Sequence, residues 1–240
     1  MTDDDSDLGR AQFLRATALG LGATSMAGEL LRPMRADAAG GGPPMAASTP
    51  AEALAALKAG NARFAAGKPQ CGPVTARVAE LANGQNPFAI VLGCSDSRVP
   101  VETVFDQPPG DVFVVRVAGN FLTDDGLGSI EYAVAVLKSK LILVLGHSSC
   151  GAVNAAVGFV RDGAAQPGHI QELVTAIEPA AVATKGEAGD WLSNAVHENV
   201  KRNVAAVTAR SSIVADAAKS GSLQVVGGVY DLKTGTVTFS

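Results

Sequence analysis

Two short clusters of side chains in this sequence have the types and spacing to hold a metal. One is Cys94-Ser95-Asp96-Ser97-Arg98 and the other is His147-Ser148-Ser149-Cys150-Gly151. Two thiolates and an imidazole suit tetrahedral zinc, because soft sulfur and borderline nitrogen donors match that ion. Cys94, His147 and Cys150 are therefore expected to hold one Zn2+ per subunit. Three protein ligands leave a fourth position, which a catalytic site keeps for water. Asp96 places a carboxylate beside that position, and Arg98 can grip it in a bidentate pair and keep it ionised. The carboxylate can orient the water on the metal, or swing in as an alternative fourth ligand and displace it. Ser95 and Ser97 have no basic partner in the motif, so they read as loop hydroxyls, not nucleophiles. Gly151 permits close approach, so that its backbone N–H can meet a substrate oxygen.

The elements that must position these residues are two apolar runs, each closed by a glycine. Phe88-Ala89-Ile90-Val91-Leu92-Gly93 leads into the first cluster, and Leu141-Ile142-Leu143-Val144-Leu145-Gly146 into the second. Short apolar runs of this kind read as strands buried on both faces. Ligand sites in open α/β sheets lie beyond the carboxyl ends of parallel strands, where the two clusters would meet. A third strand is expected over 111–117, with Arg116 ion-paired at its far end, and further strands over 224–230 and 236–239. Helices are expected over 52–66 (Thr49 its cap and Pro50 in its first turn), 74–81, 101–105, 151–160, 168–183 and 190–208. Another, capped by Ser129, should follow a polar loop over 120–127 and reach Leu137, with Glu131 bonded to the backbone of that loop. The fold class is α/β, a central mainly parallel β-sheet flanked by helices. His169 and His197 lack a second ligand at i+3 or i+4 and read as surface or capping residues. Cys71 reads as a leftover free thiol.

Neither motif is specific alone, but the pair stands in register with Gly110-Asp111-Val112-Phe113-Val114-Val115-Arg116, Ala118-Gly119-Asn120, Ser129-Ile130-Glu131-Tyr132-Ala133 and Tyr230-Asp231-Leu232-Lys233-Thr234-Gly235. Taken together, these segments resemble the β-class carbonic anhydrases of bacterial type, from about Pro50 onward. The resemblance implies a carbonate dehydratase that hydrates carbon dioxide reversibly to bicarbonate and a proton, by attack of zinc-bound hydroxide. It implies that Gln85 donates a hydrogen bond to substrate across a subunit boundary. Phe113, Ala118 and Tyr132 would line the apolar pocket for carbon dioxide. Asp96 would be either the catalytic partner of Arg98 or, in a closed state, a metal ligand. The partners implied are carbon dioxide or bicarbonate and further copies of the chain, as a homodimer or tetramer. Many relatives have Asn where this chain has Val117, which removes a polar contact. Two alternatives are a related zinc hydrolase of carbon disulfide or carbonyl sulfide, and a non-catalytic zinc- or bicarbonate-binding protein. A redox thiol protein fits poorly, since Cys94 and Cys150 are not in a C-x-x-C arrangement.

Composition agrees with one globular α/β domain: 240 residues, 47% hydrophobic and 18% charged. A net charge of −4 with no basic cluster excludes a nucleic-acid partner from the expectations. The first 45 residues are expected to be a separate extension, and 46–240 the domain. An acidic start, Arg10-Ala11-Gln12-Phe13-Leu14-Arg15, an apolar stretch and Ala36-Asp37-Ala38 follow the order of an export signal. It resembles a twin-arginine signal in which Ala11 replaces the second arginine. These features favour export over a cytoplasmic enzyme with an N-terminal extension. The stretch is too short and interrupted for stable membrane insertion.

Overall fold

A computed structural model describes residues 45–240; the export-signal-like segment and positions 1–44 of the expected N-terminal extension lie outside the described residues. The apolar runs form the sheet: β1 (Ala89–Gly93), β2 (Val112–Arg116), β3 (Leu141–His147) and β4 (Gln224–Tyr230), with a short β5 (Val237–Phe239). The order is β2-β1-β3-β4-β5. The first four are parallel and β5 runs antiparallel to β4. The turn from Asp231 to Thr236 is too short for a parallel crossover. Its Asp231 carboxylate accepts the N–H groups of Lys233 and Thr234, so the chain folds straight back.

Strand side chains alternate between two apolar layers, as a pleat requires. Ala89, Val91, Val112, Leu141, Leu143 and Leu145 face a layer completed by Ala53 and Leu57 of α1 (Pro50–Ala65). After α1 come a 3₁₀ turn (Val74–Arg77), the single turn α2 (Val78–Leu81) and α3 (Val101–Val104), whose two valines join the same layer. Ile90, Leu92, Ile142 and Val144 face the other layer, filled from α4 (Asp124–Ala135) and later helices. Those helices are α5 (Gly151–Asp162), α6 (Ile170–Ala183), α7 (Trp191–Arg210) and α8 (Ser212–Lys219). A third apolar cluster, built from α5, α6 and the start of α7, encloses Cys94 and Cys150.

Three local expectations need correction. The polar stretch 120–127 is not all loop: α4 begins at Asp124, Thr123 is its cap, and Ser129 lies inside, its hydroxyl donating to Asp125 O. Glu131 bonds no backbone there, since its carboxylate accepts the Ser211 hydroxyl at 2.6 Å and ties α4 to the start of α8. The stretch 74–81 makes two single turns, not one helix; Val74 and Val78 are 63% and 60% exposed, so no burial supports a longer one. The expected helix at 52–66 forms with a full capping box between Thr49 and Glu52. No helix among the described residues is long and apolar enough to cross a membrane.

α1 packs closely on the end of α3 through Gly60, where a Cβ would stand 1.7 Å from Phe105 O. Gly60→Ala is therefore expected to cost about 3 kcal/mol, the upper end of overpacking costs. Gly158→Ala on α5, where a Cβ meets nothing within 4 Å, should hold or raise the thermal midpoint. Equal midpoints for the two variants would contradict this packing.

The buried Asp106 carboxylate accepts the amides of Gln70 and Cys71 and pairs with Arg63. Burial alone would raise its pKa, but those donors outweigh it and hold it below the ordinary carboxylate value. A depressed folded pKa contributes stability that is present above the unfolded value and lost as pH falls through the folded one. The stability gap between wild type and Asp106→Asn, measured by denaturant unfolding, should accordingly be full at pH 7 and shrink steadily below about pH 4. A gap independent of pH would count against an ionised Asp106.

Candidate metal centre

The strand order reverses between β1 and β3, and in such sheets the crevice beyond the carboxyl ends at that point is where ligands bind. The register pairs Gly93 with Leu145, so Cys94 and His147 leave adjacent strands at the same end. Cys150 follows one short loop later, at the residue that precedes α5, with its side chain free of any capping bond. Ser149 in that loop takes φ 54°, a left-handed turn that brings the chain back toward the sheet.

Sγ of Cys94, Sγ of Cys150 and a ring nitrogen of His147 all lie within 4.8 Å of one another. All three residues are buried, His147 completely. The donor roles follow from the neighbours. His147 Nδ1 stands 3.0 Å from Ser148 O, a group that only accepts, so Nδ1 carries the proton and Nε2 holds the lone pair. Nε2 is buried without a hydrogen-bond partner. An orphaned imidazole nitrogen facing two sulfurs is what a ligand set requires, and the three residues fit a divalent metal. Among the described residues they are the one such cluster.

Electrostatics of the protein alone point the same way. The Cys150 thiol, and then the His147 ring, hold Cys94 down at about 4. The Cys94 sulfur and burial push Cys150 upward. Burial opposes a charge on His147, but the Cys94 sulfur beside it raises its proton affinity. A bound divalent cation would favour the thiolate form of both sulfurs. The first-turn amides of α5, at Ala152 and Val153, face the Cys150 sulfur and lower its pKa, without reaching capping geometry.

Asp96 lies beside the cluster, its Oδ2 3.8 Å from His147 Nε2. Arg98 donates from Nε to Oδ1 at 2.9 Å and from Nη2 to Oδ2 at 2.7 Å, the bidentate pair expected. The Arg98 guanidinium holds the carboxyl well below the usual carboxylate range. Arg116 is not in the strand-end ion pair expected of it. Its Nε donates to Cys94 O at 2.9 Å and its Nη2 to Asp96 O at 2.7 Å, so it fixes the loop that carries both residues. Sequence reasoning also missed the backbone N–H of Gly119, which donates to Cys94 Sγ at 3.2 Å.

The remaining expected site residues divide by location. Gly151 opens α5 with free space where a Cβ would be, and half-buried Ala118 lies in the turn next to Gly119. Phe113 and Tyr132 pack together with ring centroids 6.5 Å apart. Phe113 pairs with Ile90, about 13 Å back along the strand from Cys94 at about 3.3 Å per residue. Gln85 is exposed in the loop before β1, at the end of the strand opposite Cys94. Within one chain, then, Gln85, Phe113 and Tyr132 stand apart from the cluster. His169 and His197 are exposed, bonded to Glu172 and to Ser193 O, and Cys71 is a half-buried free thiol.

Residues 89–237 match the family model described as carbonic anhydrase. The chain is 43% identical over 189 residues to carbonic anhydrase 2 of Mycobacterium tuberculosis, covering 78% of this chain and 91% of that one. Among solved structures it is similar to the Coccomyxa β-carbonic anhydrase in complex with acetazolamide, with 34% identity, TM-score 0.61, and 68% and 76% of the two chains covered. It is also similar to one of two tetrameric β-carbonic anhydrases from Sordaria macrospora, with 28% identity, TM-score 0.59, and 78% and 94% covered.

Because Arg116 holds two carbonyls of the ligand loop, Arg116→Met should fold normally yet release its metal to a competing chelator roughly tenfold faster than wild type. Release at the wild-type rate would mean that the loop keeps its shape without those two bonds.

Proposed function

We infer the activity from one premise: this chain belongs to the β-carbonic anhydrase family. On that basis it is a carbonate dehydratase, converting carbon dioxide and water reversibly to bicarbonate and a proton. The observation that carries the reading is the convergence of Cys94, His147 and Cys150 around an unpartnered imidazole nitrogen, with the Asp96–Arg98 pair beside it.

Cys94, Cys150 and His147 Nε2 would hold zinc, one ion per subunit. Zinc at such a site lowers the pKa of water from about 15.7 to about 7, which supplies hydroxide at neutral pH for attack on an electrophilic carbon. The chain's own residues supply orientation. Asp96, kept ionised by Arg98, only accepts hydrogen bonds. It therefore turns the O–H of the nucleophile toward itself and leaves a lone pair free for carbon dioxide. Should Arg98 release it, the same carboxylate is near enough to compete for the fourth position.

Substrate is apolar and needs an apolar wall, for which we propose Phe113, Ala118 and Tyr132, with Gly151 N–H toward a substrate oxygen. Gln85 lies at the wrong end of β1 to reach the cluster of its own chain. Its proposed bond to substrate therefore asks for a second subunit, and a homodimer is the smallest assembly that supplies it. A relative in the family described as tetrameric is consistent with such assembly. We also propose that residues 1–45 direct export; sequencing of the mature N-terminus would find a start beyond Ala38 if so, and Met1 or Thr2 if not.

Asp96→Asn should keep zinc bound while stopped-flow hydration falls by about 10² or more. Turnover at the wild-type level would remove Asp96 from the mechanism. Cys150→Ala should lose both zinc and thermal stability. Assays on carbon disulfide and carbonyl sulfide complete the test: faster turnover of either than of carbon dioxide would reassign the substrate.

A further inference from the structure

The turn that holds a donor on Cys94 is itself held by two buried asparagines from a distant helix. Residues 117–120 form a tight turn closed by Asn120 N–H on Val117 O at 3.0 Å. Gly119 takes φ 86° and Asn120 φ 44°, consecutive left-handed residues that persist where the surroundings over-determine them. On one side α6 supplies the constraint, since a Cβ on Gly119 would stand 2.3 Å from Ile177 Cδ1.

On the other side stands α7. Its inner face is apolar through Ala195, Val196, Val200 and Val207, with Asn199 and Asn203 as polar interruptions four residues apart. Both are buried, at 2% and 8% exposure. Asn199 Nδ2 donates to Gly119 O at 2.8 Å. Asn203 Oδ1 accepts the Leu122 N–H at 2.8 Å. Asn203 Nδ2 donates to Asn199 O at 2.8 Å and reaches Asn199 Oδ1 at 3.2 Å, which orients the first amide with the second. Helix α7 can come this close because Gly146, one residue before His147, has no Cβ: one placed there would stand 2.7 Å from Val200 Cγ2.

We propose that Asn199 and Asn203 are positioning residues for the metal centre: they clamp the 117–122 turn so that Gly119 N–H stays on Cys94 Sγ, and thereby set the electron density of that thiolate. The proposal rests on Cys94 being a metal ligand. A hydrogen bond to a thiolate draws charge from the sulfur, so the metal it binds remains a stronger Lewis acid and the ligand is held in place. Without the clamp the turn relaxes, the N–H moves off the sulfur, and the thiolate becomes a richer and less anchored donor.

The test uses the full chain with cobalt(II) in place of zinc, where thiolate ligation gives an intense near-ultraviolet charge-transfer band. Asn199→Leu keeps side-chain bulk and removes the donor. It should still bind one metal per chain, shift that band to lower energy, and lose metal to a chelator roughly tenfold faster than wild type. Asn203→Leu should act in the same direction but less, since it reaches Gly119 through Asn199. Val207→Ala, on the same helix face but outside the network, should lower the thermal midpoint and leave both readouts at wild-type values. If Asn199→Leu behaves like Val207→Ala, the asparagines only stabilise the fold and the proposal is overturned. If Asn199→Leu does not fold, the same criterion applies to Asn203→Leu. Failure of the wild-type chain to show a thiolate band with cobalt is a different result, and would overturn the metal reading beneath it.

Discussion

Parallel pairing of β1 with β3 is the constraint on which the remainder depends. Gly93, the last residue of β1, lies opposite Leu145, two residues before the end of β3, so Cys94 and His147 come to the same end of adjacent strands. Slipping that register by one residue would turn every side chain of a strand to the other face. The slip is opposed by two apolar layers at once, because Ile90 and Leu92 fill one while Ala89 and Val91 fill the other. The geometry of the cluster is thus set by the packing of the whole sheet.

A second demand follows from where the cluster sits. Cys94 and Cys150 belong to an apolar cluster with Val153, Val174, Ile177 and Val196, a setting hostile to anions. The chain answers with backbone donors and fixed charges around them. Gly119 N–H reaches one sulfur, the first turn of α5 faces the other, and Arg98 and Arg116 bracket the intervening loop. These groups surround the two sulfurs with fixed donors and positive charge, which offsets the cost of holding anionic sulfur in that apolar setting.

How much of this could be read from the chain depended on whether the cause was local. The strands were legible because burial on both faces leaves an unbroken apolar run, and the ligands because each run ends in one. The Asp96–Arg98 pair was legible from two residues of spacing. The start of α4 was not: Asp124-Asp125-Gly126-Leu127-Gly128 is poor in helix formers, and it is helical because Thr123 caps it and Leu127 is buried. Arg116 was misread because its partners are carbonyl oxygens, which have no signature in sequence. Asn199 and Asn203 escaped for the same reason, although two amides four residues apart on an apolar helical face were a signal in plain view. Gln85, Phe113 and Tyr132 entered only through family resemblance, and since they stand apart from the cluster of their own chain, their proposed roles would need a surface from a second chain, which no periodicity within one chain encodes.

Everything returns to whether two sulfurs and one imidazole share a single ion. X-ray absorption at the zinc edge of the purified, zinc-loaded chain measures that directly. The proposed centre predicts one zinc per chain with two sulfur neighbours at about 2.3 Å and one imidazole nitrogen at about 2.0 Å, the fourth position being filled by a light atom. A first shell of light atoms alone, or of four sulfurs, would contradict the convergence of Cys94, His147 and Cys150 on one ion.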